Sequence, residues 1–207
     1  MVGLDAVTHL PLLLVASEDG WVRVYDWMRR TRLAARHMGS RQALSCSLHP
    51  SGLIAAVGTS EALAVYWVLK ASLSPMAELP VVKCNVSRYS HTGGLLAAAG
   101  SSNTIYVYPA YYGYEGAAGR PSNISTRAPG HSHSAAVGGG DGSAVLEAVV
   151  VLKGHVSTVT DLVFSGDDKW LISTGAGGAV YFWELSTGTR LIELEYVDKK
   201  CVYCSGK

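Results

Sequence analysis

The sequence predicts an all-β chain of about four repeated units, each a blade of short antiparallel strands, and three observations carry this. One unit recurs: an apolar strand, a turn with Pro or Gly, an Ala/Val/Leu strand, a second tight turn, then an alternating strand ending in an aromatic. The closing aromatics keep a period, with Tyr25, Tyr66 and Tyr108 spaced 41 and 42 residues apart and Trp183 a further 75 on. Composition agrees: of 207 residues, 23 are Gly and 11 Tyr but only 2 Phe, with 16% charged and 48% hydrophobic. A disordered polyampholyte or a coiled coil needs far more charge than that.

The units run in order. In the first, Leu12–Ser17 leads through Glu18-Asp19-Gly20 into Trp21–Asp26. The Asp19-Gly20 pair suits a two-residue hairpin, because Gly tolerates a positive φ. In the second, the turn His49-Pro50-Ser51-Gly52 precedes Leu53–Gly58 and then Leu63–Trp67. In the third, Ser90–Gly94 precedes Leu95–Gly100 and then Thr104–Tyr108. The fourth runs from Phe164–Asp168 through Trp170–Gly175 to Ala179–Trp183. Strands covered on both faces read as continuous apolar runs, and the Ala-rich Leu95–Ala99 is expected near the crowded axis, where small side chains fit.

A repeat of about 40–45 residues with four short strands is the WD-repeat blade of β-propellers. The 75-residue gap holds one repeat plus an insert, placed at 109–144, which is rich in Gly, Ser and Ala. Blades are expected at roughly 1–36, 37–80, 81–153 and 154–196, with the start of a further one at 197–207. Propellers close with at least four blades and commonly about seven, so the expectation is a partial arc and a fragment of a longer protein. The remaining propeller segments would then be its first partners. The insert is expected to be a tolerated loop, because it holds too little apolar surface to offset the cost of ordering it.

The fourth unit carries the fullest signature, Lys153-Gly154-His155 ahead of a strand and Trp183-Glu184 closing the unit. In WD blades a Gly-His histidine, a strand Ser or Thr, a Trp and a tight-turn Asp form one buried hydrogen-bonded set. His155, Ser173 and Trp183 match, but Gly177 stands at the Asp position, so the set is expected to be incomplete. Only the first unit keeps the Asp, as Asp19. His155 reads as a structural histidine rather than a base.

Function classes narrow by exclusion. Lys plus Arg is 17 and Asp plus Glu 16, a net charge of +1, so no whole-chain field recruits nucleic acid or an anionic membrane. Leu10–Ala16 and Ala148–Leu152 fall far short of the ~20 apolar residues of a span. Four cysteines, Cys46, Cys84, Cys201 and Cys204, are too few and scattered for a secreted disulfide scaffold, which reads as an intracellular chain. Cys201 and Cys204 lack a second ligand pair for zinc, and His131 and His133 sit in the insert, so no metal is expected. No Gly-rich run opens a helix to cradle a phosphate, and no spacing selects a nucleophile with its base. Neither a cofactor nor an enzymatic activity is expected.

Several phrases go beyond a generic blade: Ser45–Gly52, the Cys84–Gly94 segment, Leu152-Lys153-Gly154-His155, Asp168-x-x-Leu171-Ile172-Ser173, Gly178–Tyr181, Leu185-Ser186-Thr187-Gly188 and Lys200-Cys201-x-x-Cys204. In joint order and spacing they resemble the cilia- and flagella-associated protein 57 family of long axonemal WD-repeat proteins. The resemblance covers nearly all of the chain except the insert, and implies the middle part of the second of two propellers. It implies a non-catalytic scaffold of the ciliary or flagellar axoneme that helps anchor or regulate inner dynein arms on doublet microtubules. Its partners would be axonemal proteins, namely inner dynein arm and regulatory complex components, and tubulin. The alternative is a soluble peptide-binding adaptor, such as a ubiquitin-ligase substrate receptor.

One local feature suits a partner. Arg29, Arg30, Arg32, Arg36 and Arg41 concentrate positive charge in and after the turn that follows Asp26. They read either as a contact for an acidic surface, such as that of tubulin, or as a solvated turn and outer strand.

Overall fold

A computed structural model describes residues 3–7, 9–110 and 147–195. Among these the fold is all-β, sixteen strands in four four-stranded antiparallel sheets. Blade 1 holds β1 (Gly3–Ala6), β2 (Leu12–Ala16), β3 (Trp21–Asp26) and β4 (Thr31–His37). Blade 2 holds β5 (Ala43–Leu48), β6 (Ile54–Thr59), β7 (Leu63–Val68) and β8 (Leu73–Leu79). Blade 3 holds β9 (Val86–Tyr89), β10 (Leu95–Ala99), β11 (Thr104–Pro109) and β12 (Val150–Lys153). Blade 4 holds β13 (Val159–Phe164), β14 (Trp170–Gly175), β15 (Ala179–Glu184) and β16 (Thr189–Glu195). No helix among the described residues is long and apolar enough to cross a membrane.

The first strands of the blades, β1, β5, β9 and β13, touch one another in sequence order, and the sheets fan outward from them. The result is an open arc of four WD40-type propeller blades. Strand alternation explains the packing, since successive side chains point to opposite faces. From β6, Ala55 and Val57 enter the core shared with blade 1, while Ile54 and Ala56 enter the core shared with blade 3. From β10, Leu96 and Ala98 face blade 2, while Ala97 and Ala99 face blade 4. Both faces are therefore apolar, and the runs read as continuous.

That geometry gives the Ala-rich Leu95–Ala99 a definite place near the axis. The strand is second from the axis; the innermost strand of its blade is β9, which carries Ser87 and Arg88. Small residues are needed at β10 because two neighbouring blades press on it, not because it lines the axis. The first-unit turn differs from expectation. Ser17 accepts from Gly20 N at 3.1 Å and bonds Trp21 O through its own N at 2.9 Å. Glu18 and Asp19 thus take the centre, and Gly20 follows at φ +76 as the left-handed residue. Gly175–Gly178 repeats this design, with Gly178 at φ +87.

The insert begins later than 109, because Pro109 closes β11 and Ala110 N still bonds Gly94 O at 2.9 Å. Residues 111–146, including His131 and His133, lie outside the described residues, as do Cys201 and Cys204.

Candidate functional site

Two groups of side chains stand out, one buried and one exposed. The buried group sits where the link into blade 4 crosses the end of its sheet. His155, only 8% exposed, comes from the β12–β13 link, Ser173 from β14 and Trp183 from β15. Trp183 Nε1 donates to Ser173 Oγ at 2.8 Å, and His155 Nε2 lies 2.7 Å from the same oxygen. A serine hydroxyl can accept from the indole while giving its own hydrogen to the imidazole, so one oxygen ties three segments together. Gly154 lets the link pass close over the indole, since a Cβ there would lie 3.1 Å from Trp183 Cη2.

The other imidazole nitrogen has no such partner. His155 Nδ1 is buried and makes no hydrogen bond. The Gly175–Gly178 turn lies against it; a Cβ on Gly175 would sit 2.9 Å away. At Gly177 no side chain is available, and its N–H instead donates to Ser157 Oγ at 2.9 Å. Burial pushes the His155 pKa down to about 4, the nearby Arg190 guanidinium adds to that, and Glu193 opposes it. The ring is therefore neutral near pH 7, with Nε2 engaged by the Ser173 hydroxyl. Asp19, the acidic residue at the equivalent turn of blade 1, is directed elsewhere. Its carboxylate accepts Trp21 N at 3.1 Å and pairs with Arg23 at 3.5 Å. The backbone bond lowers its pKa most, with Arg23 adding to it.

The structure divides the five arginines. Arg36 Nη1 donates to the Leu73 carbonyl of blade 2 at 2.9 Å, and its guanidinium lies 5.3 Å from the Tyr66 ring centre. Arg41 pairs with Glu61 at 2.8 Å and Glu78 at 2.5 Å, which raises its pKa. Both are engaged in joining blade 1 to blade 2. Arg29 and Arg30 occupy the β3–β4 turn and Arg32 the start of β4, all exposed. The strand carries Arg36 about 13 Å along from Arg32, so the five form no single patch.

Sequence reasoning missed the contacts that join neighbouring blades near their β-turns. Asp5 accepts Ser47 Oγ at 3.1 Å and Leu48 N at 2.7 Å. His49 Nε2 lies 2.9 Å from the Gly93 carbonyl, between blades 2 and 3. Asp168 accepts His91 N at 2.9 Å and Thr92 N at 2.8 Å, between blades 3 and 4. Burial opposes ionisation of Asp168, but the Thr92 and His91 bonds outweigh it and lower its pKa. Asp5 is a lone polar residue in β1, and His49 and Asp168 stand in turns, so no periodic signal announced that they reach the neighbouring blade. Between the innermost strands opens a cleft of about 400 Å³, lined among others by Asp5, Arg88, Tyr89, His91 and Phe164. Arg88 pairs there with Asp161 at 3.6 Å. Among the described residues no three His, Cys, Asp or Glu side chains group to hold a metal ion.

Comparison with known proteins agrees with this architecture. The family model described as "WD domain, G-beta repeat" matches residues 146–184, which span β12 to β15. The chain is 31% identical over 205 residues to Cilia- and flagella-associated protein 57 of Mus musculus, covering 99% of this chain and 14% of that protein. It is 25% identical over 193 residues to Echinoderm microtubule-associated protein-like 4 of Homo sapiens, covering 92% of this chain and 16% of that protein. The chain thus spans about a seventh of the length of these relatives. The resemblance read from the ordered sequence phrases is shown: this is a WD-repeat chain similar, along nearly its whole length, to a cilia- and flagella-associated protein.

Proposed function

We propose that this chain is part of a non-catalytic WD-repeat scaffold of the ciliary or flagellar axoneme, one that helps anchor or regulate inner dynein arms on doublet microtubules. The observation that carries the reading is likeness to a cilia- and flagella-associated protein over 99% of the chain. The name of the second relative, a microtubule-associated protein-like protein, points to the same polymer. The architecture supports a scaffold. Buried Ser173 ties the link into blade 4 to that blade's own strands, the half-buried Asp168 bonds blade 3 to blade 4, and the exposed arginines lie on the β3–β4 turn and the start of β4. Within the reading, partners are inner dynein arm and regulatory complex components together with tubulin, and the His155–Ser173–Trp183 set is a structural clasp.

The test uses the full protein that contains this chain, tagged at its own locus in a ciliated cell. Cilia are isolated, stripped of membrane with detergent and washed with salt. Retention on the axoneme, and loss of inner dynein arms from doublets on depletion, is the expected result. A tagged protein confined to the soluble cell body would overturn the reading.

A further inference from the structure

The exposed arginines acquire a neighbour that the sequence does not place beside them. Ala71 N donates to the Leu33 carbonyl at 2.9 Å, and Ala34 and Ala71 form an isolated parallel bridge. This bond docks the β7–β8 turn of blade 2, which carries Lys70, against β4 of blade 1, whose first residues are Thr31 and Arg32. Arg29, Arg30, Arg32 and Lys70 are all exposed. Both turns are held by left-handed residues, Arg30 at φ 54 and Ala71 at φ 76. The rim formed by the two docked segments therefore carries four exposed cations, in a chain whose net charge is only +1.

Little acid answers them. Asp26, itself buried, accepts Arg29 N at 2.9 Å and lies 3.6 Å from Arg29 Nε, while the Arg29 side chain stays 80% exposed. Among the described residues, Arg30, Arg32 and Lys70 have no carboxylate within ion-pair distance. Large apolar side chains share the rim: Trp27 is 57% exposed, Met28 70% and Leu69 50%. An exposed Trp beside unpaired guanidinium groups is the composition of protein-binding surfaces, where Trp and Arg supply most of the anchoring. Guanidinium groups also grip carboxylates in pairs of parallel bonds.

We propose that this rim is a docking surface for an extended, Glu-rich segment of a partner protein. Its carboxylates would pair with Arg29, Arg30, Arg32 and Lys70, and its backbone and methylenes would lie over Trp27. The inference deepens the scaffold reading by naming the chemistry of one partner, yet its test runs in solution and does not depend on where the protein resides.

The experiment measures anisotropy of a fluorescein-labelled peptide with eight consecutive Glu flanked by Gly and Ser, titrated with the full chain at 50 mM salt. Binding that weakens at least tenfold in Arg30→Glu/Arg32→Glu, and several-fold in Trp27→Ala and Lys70→Glu, is the expected result. Raising salt to 300 mM should weaken the parent strongly and the double variant little, because exposed charge pairs are screened. Lys153→Glu, an exposed cation at the end of β12, serves as the control and should bind as the parent does. Unchanged circular dichroism and melting keep a folding defect from imitating a lost contact. Absence of binding at 50 mM salt, equal weakening by Lys153→Glu, or tighter binding of an RNA oligonucleotide of matched charge would each overturn the proposal.

Discussion

Replacing Gly177 by Asp should stabilise the fourth blade, and should do so through His155. At present Nδ1 of that ring is buried without a hydrogen bond. A buried polar atom left unsatisfied costs about 1–3 kcal/mol, and a bond to a charged acceptor recovers a comparable amount. The site admits a side chain: Gly177 is not among the positive-φ residues, and a Cβ there meets Ser157 Oγ at 3.2 Å, tight but yielding. Allowing for that crowding, and for desolvation of the new carboxylate, the net gain is set at about 1–2 kcal/mol. For a chain of this size that raises Tm by about 2–8 °C. Gly177→Ala separates the contribution of a stiffer unfolded chain, worth about 0.4–1 kcal/mol, from that of the carboxylate.

The pH dependence identifies the mechanism. His155 has a folded pKa of about 4 against an ordinary value of 6.5. Below the ordinary value the unfolded chain binds a proton that the folded chain refuses, so this residue makes stability fall as pH drops from about 6.5 towards 4. At pH 5 the loss is about 2 kcal/mol, approaching about 3 below pH 4. A carboxylate against Nδ1 favours the imidazolium and raises the folded pKa, so the Gly177→Asp advantage should widen between pH 6.5 and 5. Arg190, Glu193 and Tyr181 also face the ring, but they are common to both chains and cancel in the difference. Urea unfolding across that range, with the imidazole followed by NMR, makes the measurement. If Gly177→Asp unfolds no later than Gly177→Ala at pH 5, and His155 still titrates near 4, the missing acceptor is not what leaves Nδ1 bare.

Three further outcomes follow from the geometry. Ser173→Ala removes the oxygen shared by Trp183 Nε1 and His155 Nε2, and should cost about 2–5 kcal/mol in urea unfolding with an unchanged m-value. Asp168→Asn weakens the clasp on His91 and Thr92, and should cost about 1–2 kcal/mol at neutral pH. The folded pKa of Asp168 is lowered, so the parent's advantage should hold above about pH 4 and vanish as pH falls through that folded value. Gly58→Ala drives a methyl into the Cys84 carbonyl and the Ser45 hydroxyl of the neighbouring strand link, and thermal unfolding should show a loss of about 1–3 kcal/mol.

What the sequence disclosed was whatever repeats. The aromatic spacing located β3, β7, β11 and β15, and in blades 2 to 4 that aromatic packs with the link that enters its own blade. Period alone could not rank strands by distance from the axis. β9 and β10 both bury their side chains, and only the structure shows that Ser87 and Arg88 line the inside while the Ala run is squeezed between blades. The arginine cluster was legible as charge but not as geometry. Sequence proximity grouped Arg36 and Arg41 with the turn, whereas the strand carries them away to Leu73, Glu61 and Glu78. Conversely, Lys70 joins the rim through one backbone bond from Ala71 to Leu33, a contact 38 residues apart with no motif to announce it.

The three junctions between described blades show how little the polar clasp itself decides. Into blade 2, the link residue Met38 lies against Tyr66, whose hydroxyl reaches Met38 Sδ at 3.2 Å. Into blade 3, Val81 and Cys84 share a core with Tyr108, and burial pushes the Cys84 thiol up to about 12, so it packs as an apolar group. Only into blade 4 does a histidine meet a serine and a tryptophan. All three links cover the end of a sheet with a closing aromatic, and covering that apolar surface is the common requirement. Hydrogen bonds within the junction are then an addition whose members can lapse singly, as at Gly177, without loss of the blade. It follows that a variant such as His155→Met, copying the blade 2 solution, should fold and should abolish the loss of stability between pH 6.5 and 4. If it fails to fold, the serine and indole left behind set the requirement, and the junctions are not interchangeable.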